Sequence, residues 1–408
     1  MDYEVKSMKV AISVNLLVHA FVYHNALFYK IKYDLTMQKS FDQKKTFHTR
    51  ASIFALILIV ASVGYFFWNL MTPRQDFYNE LWGPAYLLVH RQSPYDTASL
   101  NPILPAAWLP MAIGFFFPLG LLAEETALQV WYIFNILAIG LIVYFAQGKK
   151  HNLYNTLASA LICFFFPLTF NHINLGQFSI ITTLCWVFAA YFLEREEHWL
   201  SAFCIALALT KPHLGFLVML GLSYHDYQRG GIRSMLFSWA RILLMCLMLC
   251  IPLFVAYPNW IPDAIISMAK NPPWSYPSLY ILFERYFDAW GHILWGFTTL
   301  TVIGLNFWLW KKFPMRNAVY WSLALAPLVT PYVGSWDFVV LFPLLILVYV
   351  NVNWVRKIFL WVAYCIAWFG MARVQMLEVS HNHYFWWVPL WFLGAGVLVT
   401  EWKINRKD

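Results

Sequence analysis

The sequence predicts an all-α polytopic membrane protein with about twelve transmembrane helices. Three observations carry that reading: an apolar composition, a series of apolar runs close to bilayer length, and a bias of basic residues to alternate loops. Of the 408 residues, 61% are hydrophobic and only 12% are charged, with a mean hydropathy of +0.57. Soluble domains carry roughly 45–50% apolar and about 25% charged residues, so water is not the solvent for most of this chain. The 22 Trp and 23 Tyr suit the two interfacial belts, where an aromatic ring keeps one wet edge. The net charge of +8 would suggest nucleic acid in a soluble protein. Here the basic residues lie mainly between apolar runs, which points to membrane topology and away from a nucleic-acid partner.

Residues 1–50 form a basic N-terminal segment expected on the cytoplasmic side. Within it, Met8–Lys30 is interrupted by Asn15, His19, His24 and Asn25, and reads as an interfacial amphipathic helix. Lys39, Lys44, Lys45 and Arg50 precede a first apolar run without a small-residue cleavage site, which reads as a signal anchor. Apolar runs begin near Ser52, Leu128, Thr156, Phe178, Leu200, His213, Met235, Ile293, Ala318, Phe338, Ile358 and Phe385. Several are shorter than the roughly 20 residues a straight span needs. Tilted or broken helices are therefore expected, with Pro167, Pro212, Pro327 and Pro331 as breaking points.

Charge settles how Leu104–Ala123 is counted. This segment is apolar enough to span, but it carries Pro105, Pro110 and Pro118. If it does not span, the loops at Gly148–Asn155, Leu193–Trp199, Asp226–Ser234, Lys311–Asn317, Asn353–Lys357 and the tail at 403–408 share one side. They hold thirteen Lys and Arg, against six in the opposite loops: Arg74, Arg91, Lys211, Lys270, Arg285 and Arg373. The positive-inside rule puts the richer side in the cytoplasm. Both termini are then cytoplasmic, and Leu104–Ala123 is re-entrant or lies in the outer interface. A membrane domain at 51–402 follows, with two long non-cytoplasmic segments, 72–127 and 257–289. Loops beyond about 12–15 residues are usually functional or disordered, and the Trp and Tyr content of these argues against disorder.

The six cysteines, Cys163, Cys185, Cys204, Cys246, Cys250 and Cys365, lie in apolar stretches without Cys-x-x-Cys spacing. They read as small core residues, with neither a zinc signature nor a disulfide framework. His381 and His383 have a spacing that an extended loop could use for metal, but no third ligand is near in sequence, so no metal site is expected.

Asp76 is the first candidate for chemistry. It follows the first span closely, where a partly desolvated carboxylate has a raised pKa and can take a proton. An N-cap for the helix expected over Phe77–Leu88 is the alternative. Asn171, His172, Asn174 and Gln177 cluster at the outer end of the third span, and their donors and acceptors suit sugar hydroxyls. They would equally satisfy the backbone of a broken helix. Lys211, flanked by apolar helix, is costly without a partner and is a candidate anion contact; a lysine stem reaching out to the interface is the alternative. Arg285 and Arg373 are candidate phosphate contacts, since the guanidinium fork matches phosphate oxygens, with solvated loop charge as the default.

The stretch Asp76–Asp96, DFYNELWGPAYLLVHRQSPYD, resembles the signature after the first span in glycosyltransferase family 87. Four further pieces occur in the same order: FFFPLGLL (Phe115–Leu122), NLGQFSIITTL (Asn174–Leu184), ALALTKPHLGFLVML (Ala206–Leu220) and TPYVGSWDFVVLFPLL (Thr330–Leu345). The resemblance implies a GT-C-type helical bundle and a polyprenyl-phosphate-mannose-dependent transferase acting on the non-cytoplasmic face of the cell membrane. It further implies metal-independent, inverting transfer without a cofactor, the lipid-phosphate sugar being the donor substrate and a glycolipid or glycan the acceptor. In that frame Asp76 is the catalytic base, and Lys211, Gln177, Asn174, His172, Tyr95, Asp96, Arg285 and Asp337 are candidate substrate contacts. The late loop departs from members that carry a His pair: it reads Ser335-Trp336-Asp337-Phe338. An ionised Asp cannot donate to phosphate, so Asp337 is expected to bind sugar hydroxyls, to pair with Arg285 or Arg373, or to cap the next helix.

Transport or flipping of a lipid-linked saccharide remains the competing reading. Transporters often show inverted repeats and mid-membrane ionisable residues. This chain shows no internal repeat, and its ionisable residues gather at the expected outer face.

Overall fold

The computed structural model describes residues 52–65, 76–96, 100, 110–269, 276–376 and 379–400. The expected interfacial helix at 8–30, the tail at 403–408, Arg74 and Lys270 lie outside them. Contacts divide the chain into two units, 1–56 and 57–408. Of the first, only Ser52–Leu56 is described, as the start of an apolar helix, α1 (Ser52–Tyr65).

The rest is helical, with no strand among the described residues. A π-helix at Phe77–Trp82 leads into α2 (Gly83–Val89). Then follow α3 (Pro110–Phe116), α4 (Glu124–Ala146), α5 (Leu153–Phe164), α6 (Pro167–Leu175), α7 (Ser179–Leu193) and α8 (His198–Ala208). Next come α9 (Pro212–Leu249), α10 (Ile251–Ala256), α11 (Trp260–Ala269), α12 (Leu279–Phe287), α13 (Ala289–Lys312) and α14 (Met315–Val329). A 3₁₀ turn at Ser335–Leu341 opens α15 (Phe342–Asn351), followed by α16 (Trp354–Gln375) and α17 (Trp387–Val399).

Among the described residues, four helices are long and apolar enough to cross a bilayer: α4, α9, α13 and α16. The bent pair α5–α6 makes a fifth. The other expected runs coincide with shorter helices. The runs beginning near His213 and Met235 meet in α9, whose helical geometry breaks at Gly230 and Gly231, the latter at φ +65°. Leu104–Ala123, in its described part, is the seven-residue α3 and a 3₁₀ turn at Phe117–Leu121. Gly120 lets this turn lie on the α2 backbone, since a Cβ there would stand 2.4 Å from the Ala85 carbonyl.

Pro167 behaves as its chemistry dictates. It lacks an N–H and ends the helical ladder, and α5 and α6 meet at 58°. The carbonyls freed at the break cannot turn to water inside an apolar bundle, so side chains serve them. Thr169 Oγ1 donates to Cys163 O at 2.8 Å, Tyr364 Oη to Ile162 O at 3.0 Å, and Trp368 Nε1 to Phe165 O at 2.8 Å. The last two donors come from α16, which is thereby stitched along the broken helix. Pro327, in contrast, sits inside α14 without interrupting it; the helix runs to Val329 and stops before Pro331. Pro212 occupies the first position of α9, where its missing N–H costs nothing.

Polar contacts also join helices where apolar packing alone gives little preference over lipid. Asn306 on α13 donates to Leu217 O on α9 at 2.9 Å and accepts from Ser322 Oγ on α14 at 2.6 Å. Trp310 Nε1 donates to the same Ser322 hydroxyl at 2.9 Å. Asn306→Leu removes the bond to the Leu217 carbonyl on α9 and the bond to Ser322 on α14. About 1–3 kcal/mol of stability should be lost, read as a lower unfolding midpoint of the purified protein; an unchanged midpoint would refute the account of this junction.

Candidate functional site

The candidate site is assembled from four segments far apart in sequence. The first is the entry to the π-helix. Asp76 stands at the N-cap position, but its side chain makes no capping bond; its own backbone is helical, at φ −74° and ψ −36°. The carboxylate instead accepts from Gln177, whose Nε2 lies 2.6 Å from Oδ2. Oδ1 has no hydrogen bond among the described residues. The π-helix is closed by Gly83 N–H donating to Tyr78 O, and such wide turns recur at functional sites.

Gln177 comes from the turn between α6 and α7. α6 ends on Gly176, at φ +77°, with the N–H groups of Gly176 and Gln177 both donating to His172 O. This is the left-handed helix end that glycine favours. Glycine is needed here twice over, because a Cβ at 176 would stand 2.5 Å from Phe77 Cβ. The turn is thus held against the π-helix, and Gln177 is brought to Asp76.

Lys211 comes from the link between α8 and α9. It is 7% exposed, and its stem does not reach out to the interface. The ammonium donates to Gln177 Oε1 at 2.7 Å, to Ser179 Oγ at 2.9 Å and to Asp337 Oδ1 at 2.8 Å. An ammonium has three N–H groups, and each has an acceptor.

Asp337 supplies the counter-charge. Its Oδ1 receives Lys211 and the Ser179 hydroxyl; its Oδ2 receives the Gly334 N–H at 2.9 Å. The side chain therefore caps the 3₁₀ turn from its third residue and neutralises Lys211 at once. Pairing with Arg285 or Arg373 is not what occurs: Lys211 is the ion-pair partner, and both arginines are exposed. His213 Nε2 lies 3.6 Å from Asp337 Oδ2, beyond hydrogen-bond length, and has no hydrogen-bond partner. The Tyr332 ring meets His213 edge-on at 5.3 Å.

The contacts form one chain, Asp337–Lys211–Gln177–Asp76. Burial raises the Asp76 carboxyl to about 6; the Gln177 hydrogen bond and the Lys211 charge oppose that rise, and Asp337 adds to it.

The other sequence candidates fall elsewhere. His172 is fully buried and ties backbone together: Nδ1 lies 3.2 Å from Trp336 O, and Nε2 accepts from Ile180 N–H at 3.5 Å. Asn171 donates to Ser335 Oγ at 3.3 Å. Both tie α6 to the late loop. Asn174 Oδ1 is buried without a partner. Tyr95 belongs to a separate apolar cluster with Leu88, Ile113, Cys250, Leu253 and Trp260. Near it, Ser93 and Tyr257 both donate to Asp263, joining the two long outer segments. Asp96 is exposed. Arg285, also exposed, lies 3.2 Å from His383 Nε2. Ser179 and His213 were not singled out from the sequence, although both lie inside motifs that were, and the Lys-Pro-His run was the available signal for His213. Among the described residues, no three His, Cys, Asp or Glu side chains gather as a metal site would require.

A buried ion pair is costly to break because the remaining charge is left without compensation, typically by about 3–5 kcal/mol. Lys211→Met and Asp337→Leu should each destabilise the purified protein on that scale. The double variant should lose less than the sum, and strict additivity in a denaturation series would contradict the pairing.

The model of glycosyltransferase family 87 matches residues 109–331, more than half of the chain. No match was found among curated proteins. The matched span contains Gln177 and Lys211, whereas Asp76 and Asp337 lie on either side of it. On the extent of that match, the chain belongs to glycosyltransferase family 87.

Proposed function

We propose that this membrane glycosyltransferase moves a sugar, mannose by the family's habit, from a polyprenyl-phosphate donor to an acceptor hydroxyl on the non-cytoplasmic face. Asp76 is the base. The observation that carries this reading is a half-buried carboxylate with one oxygen held by Gln177 and the other without a hydrogen bond among the described residues.

In this mechanism Asp76 Oδ1 takes the proton of the acceptor hydroxyl as the oxygen attacks the anomeric carbon. The bond from that carbon to the phosphate oxygen breaks, its electron pair leaves on the polyprenyl phosphate, and the anomeric configuration inverts. No step calls for a metal. Gln177 holds the carboxylate in one orientation, and Lys211, with its N–H groups engaged, is a positioning residue that fixes the Gln177 amide. Its charge can favour the departing phosphate through space, in the manner of fixed cations beside developing anions. Membership of a glycosyltransferase family favours transfer over the competing reading as a saccharide transporter or flippase. The donor sugar and the glycolipid or glycan acceptor are the finer points that substrates must decide.

Supplied with labelled polyprenyl-phosphate mannose and a membrane glycolipid extract, the purified protein in nanodiscs should form a labelled product. Asp76→Asn should lower the transfer rate by roughly 10²–10⁴-fold while leaving the unfolding midpoint in place; full activity of that variant would remove Asp76 as base. The base must be ionised to act, so kcat/KM should fall as pH drops through about 6 and level off above it. A rate independent of pH between 5 and 8 would argue against a carboxylate base raised by burial.

A further inference from the structure

The late loop is held on three sides before it reaches Asp337. Trp295 Nε1 on α13 donates to Val329 O at 3.0 Å, and Ser278 Oγ, at the N-cap of α12, donates to Pro331 O at 3.1 Å. Between them, Thr330 Oγ1 lies 2.9 Å from His213 O on α9. Tyr332 follows directly on these anchors, so its backbone is fixed while 42% of the residue stays exposed. Two rings brace its side chain. The Tyr276 ring lies 4.4 Å away, tilted by 54°, and the His213 ring meets it edge-on at 5.3 Å.

Exposed aromatic residues are ordinary where helices meet the membrane interface, but Tyr332 has different neighbours. His213 Nε2 lies 3.6 Å from Asp337 Oδ2, at the head of the contact chain that ends on Asp76. Tyr276 senses both sides of the site. Burial raises its hydroxyl above the usual tyrosine range, and Tyr332, Asp337 and Glu80 add to the rise. Asp337 belongs to the late loop, and Glu80 to the π-helix that opens just after Asp76. The Tyr276–Tyr332 pair therefore stands within electrostatic reach of the buried ion pair and of the segment that carries the proposed base.

A pyranose presents C–H groups on its faces and hydroxyls around its rim. The face of an aromatic ring carries negative charge density, so it attracts those C–H groups, while nearby polar side chains serve the hydroxyls. A half-exposed ring beside a polar site complements a sugar in both respects. In an inverting transfer the acceptor oxygen and the departing phosphate stand on opposite sides of the anomeric carbon. Asp76 marks the acceptor side, and the chain through Lys211 to Asp337 leads away from it towards Tyr332. We infer that Tyr332 is the platform on which the sugar of the lipid-phosphate donor stacks, with Tyr276 a positioning residue that holds the Tyr332 ring. The platform separates the glycosylated donor from the bare lipid phosphate that must leave after transfer. This inference rests on the reading of the site as a sugar-transfer centre.

The test is binding by the full chain in nanodiscs, with polyprenyl-phosphate mannose and bare polyprenyl phosphate measured separately. Tyr332→Leu keeps apolar bulk but removes the ring; it should weaken the mannosylated lipid roughly tenfold, the order of one aromatic contact, and leave the bare lipid nearly unchanged. Tyr332→Phe and Tyr332→Trp should bind both lipids as the wild type does. Tyr276→Ala should share the loss, and Tyr276→Phe should not. If Tyr332→Leu fails to fold, Tyr332→Gln, polar and ringless, carries the same expectation. An equal loss for both lipids, an undiminished affinity of the ringless variants for the mannosylated lipid, or a loss in Tyr332→Phe as large as in Tyr332→Leu would each overturn the platform alone. Failure of the wild type to bind the mannosylated lipid would overturn it together with the donor reading. Because binding is read and not turnover, full transfer by Asp76→Asn would remove the base and leave the platform standing.

Discussion

A charge placed inside an apolar helical bundle must find its partners within the protein, and Lys211 is where this constraint shapes the site. Desolvating an ammonium is tolerable only with an opposite charge and a full set of acceptors. Asp337, Ser179 and Gln177 provide both. Meeting that demand requires three segments to converge: the late loop, the link before α9, and the turn from α6 into α7. Gln177 then has its carbonyl oxygen committed to Lys211, so its amide nitrogen is left facing Asp76. The same bonds that make a buried lysine affordable therefore orient the carboxylate proposed to do the chemistry.

The backbone obeys the same rule. Where Pro167 breaks the third expected span, the carbonyls of Ile162, Cys163 and Phe165 acquire side-chain donors, two of them from α16. The break has a positional consequence. It tilts α6 away from α5 and lets α6 end at Gly176, packed on Phe77. A straight helix through this region would carry the Gln177 turn elsewhere. The bend, the left-handed glycine and the π-helix are thus parts of one arrangement that joins Asp76 to the bundle.

Much of this was legible from residues alone. Apolar runs marked where many of the helices lie, because burial in lipid or protein leaves the same apolar signature; of the twelve spans expected, four helices and one bent pair among the described residues are long and apolar enough to cross. Proline chemistry located the break at 167, though it wrongly anticipated one at 327, where α14 tolerates the ring two residues before its end. Asp76, Gln177, Lys211 and Asp337 were each candidates from residue type and setting. That they form one chain was not legible, since the partners stand 101, 34 and 126 positions apart. For Asp337 local reasoning offered a helix cap, which the Gly334 N–H bond matches, or an arginine partner where the ion pair is with Lys211, because nothing in a linear pattern distinguishes a loop arginine from a lysine at a helix start. For His172 the sequence left sugar binding and backbone bracing as equal readings, since the two are written identically; its contacts are to the Trp336 carbonyl and the Ile180 N–H. Tyr95, in its own apolar cluster, shows the limit from the other side, since sharing a motif with Asp76 does not make it a neighbour.

The Gln177 hydrogen bond and the Lys211 charge both act on the proton affinity of Asp76. Gln177→Leu tests this most directly, because that change removes the hydrogen bond that holds the Asp76 carboxyl down and leaves burial, which pushes it up, in place. The pH profile of kcat/KM for sugar transfer should move to a higher apparent pKa than that of the wild-type chain, since burial raises the carboxyl and the Gln177 bond lowers it. A profile that keeps the wild-type midpoint would show that Gln177 does not govern the base, and the account would fail at its centre.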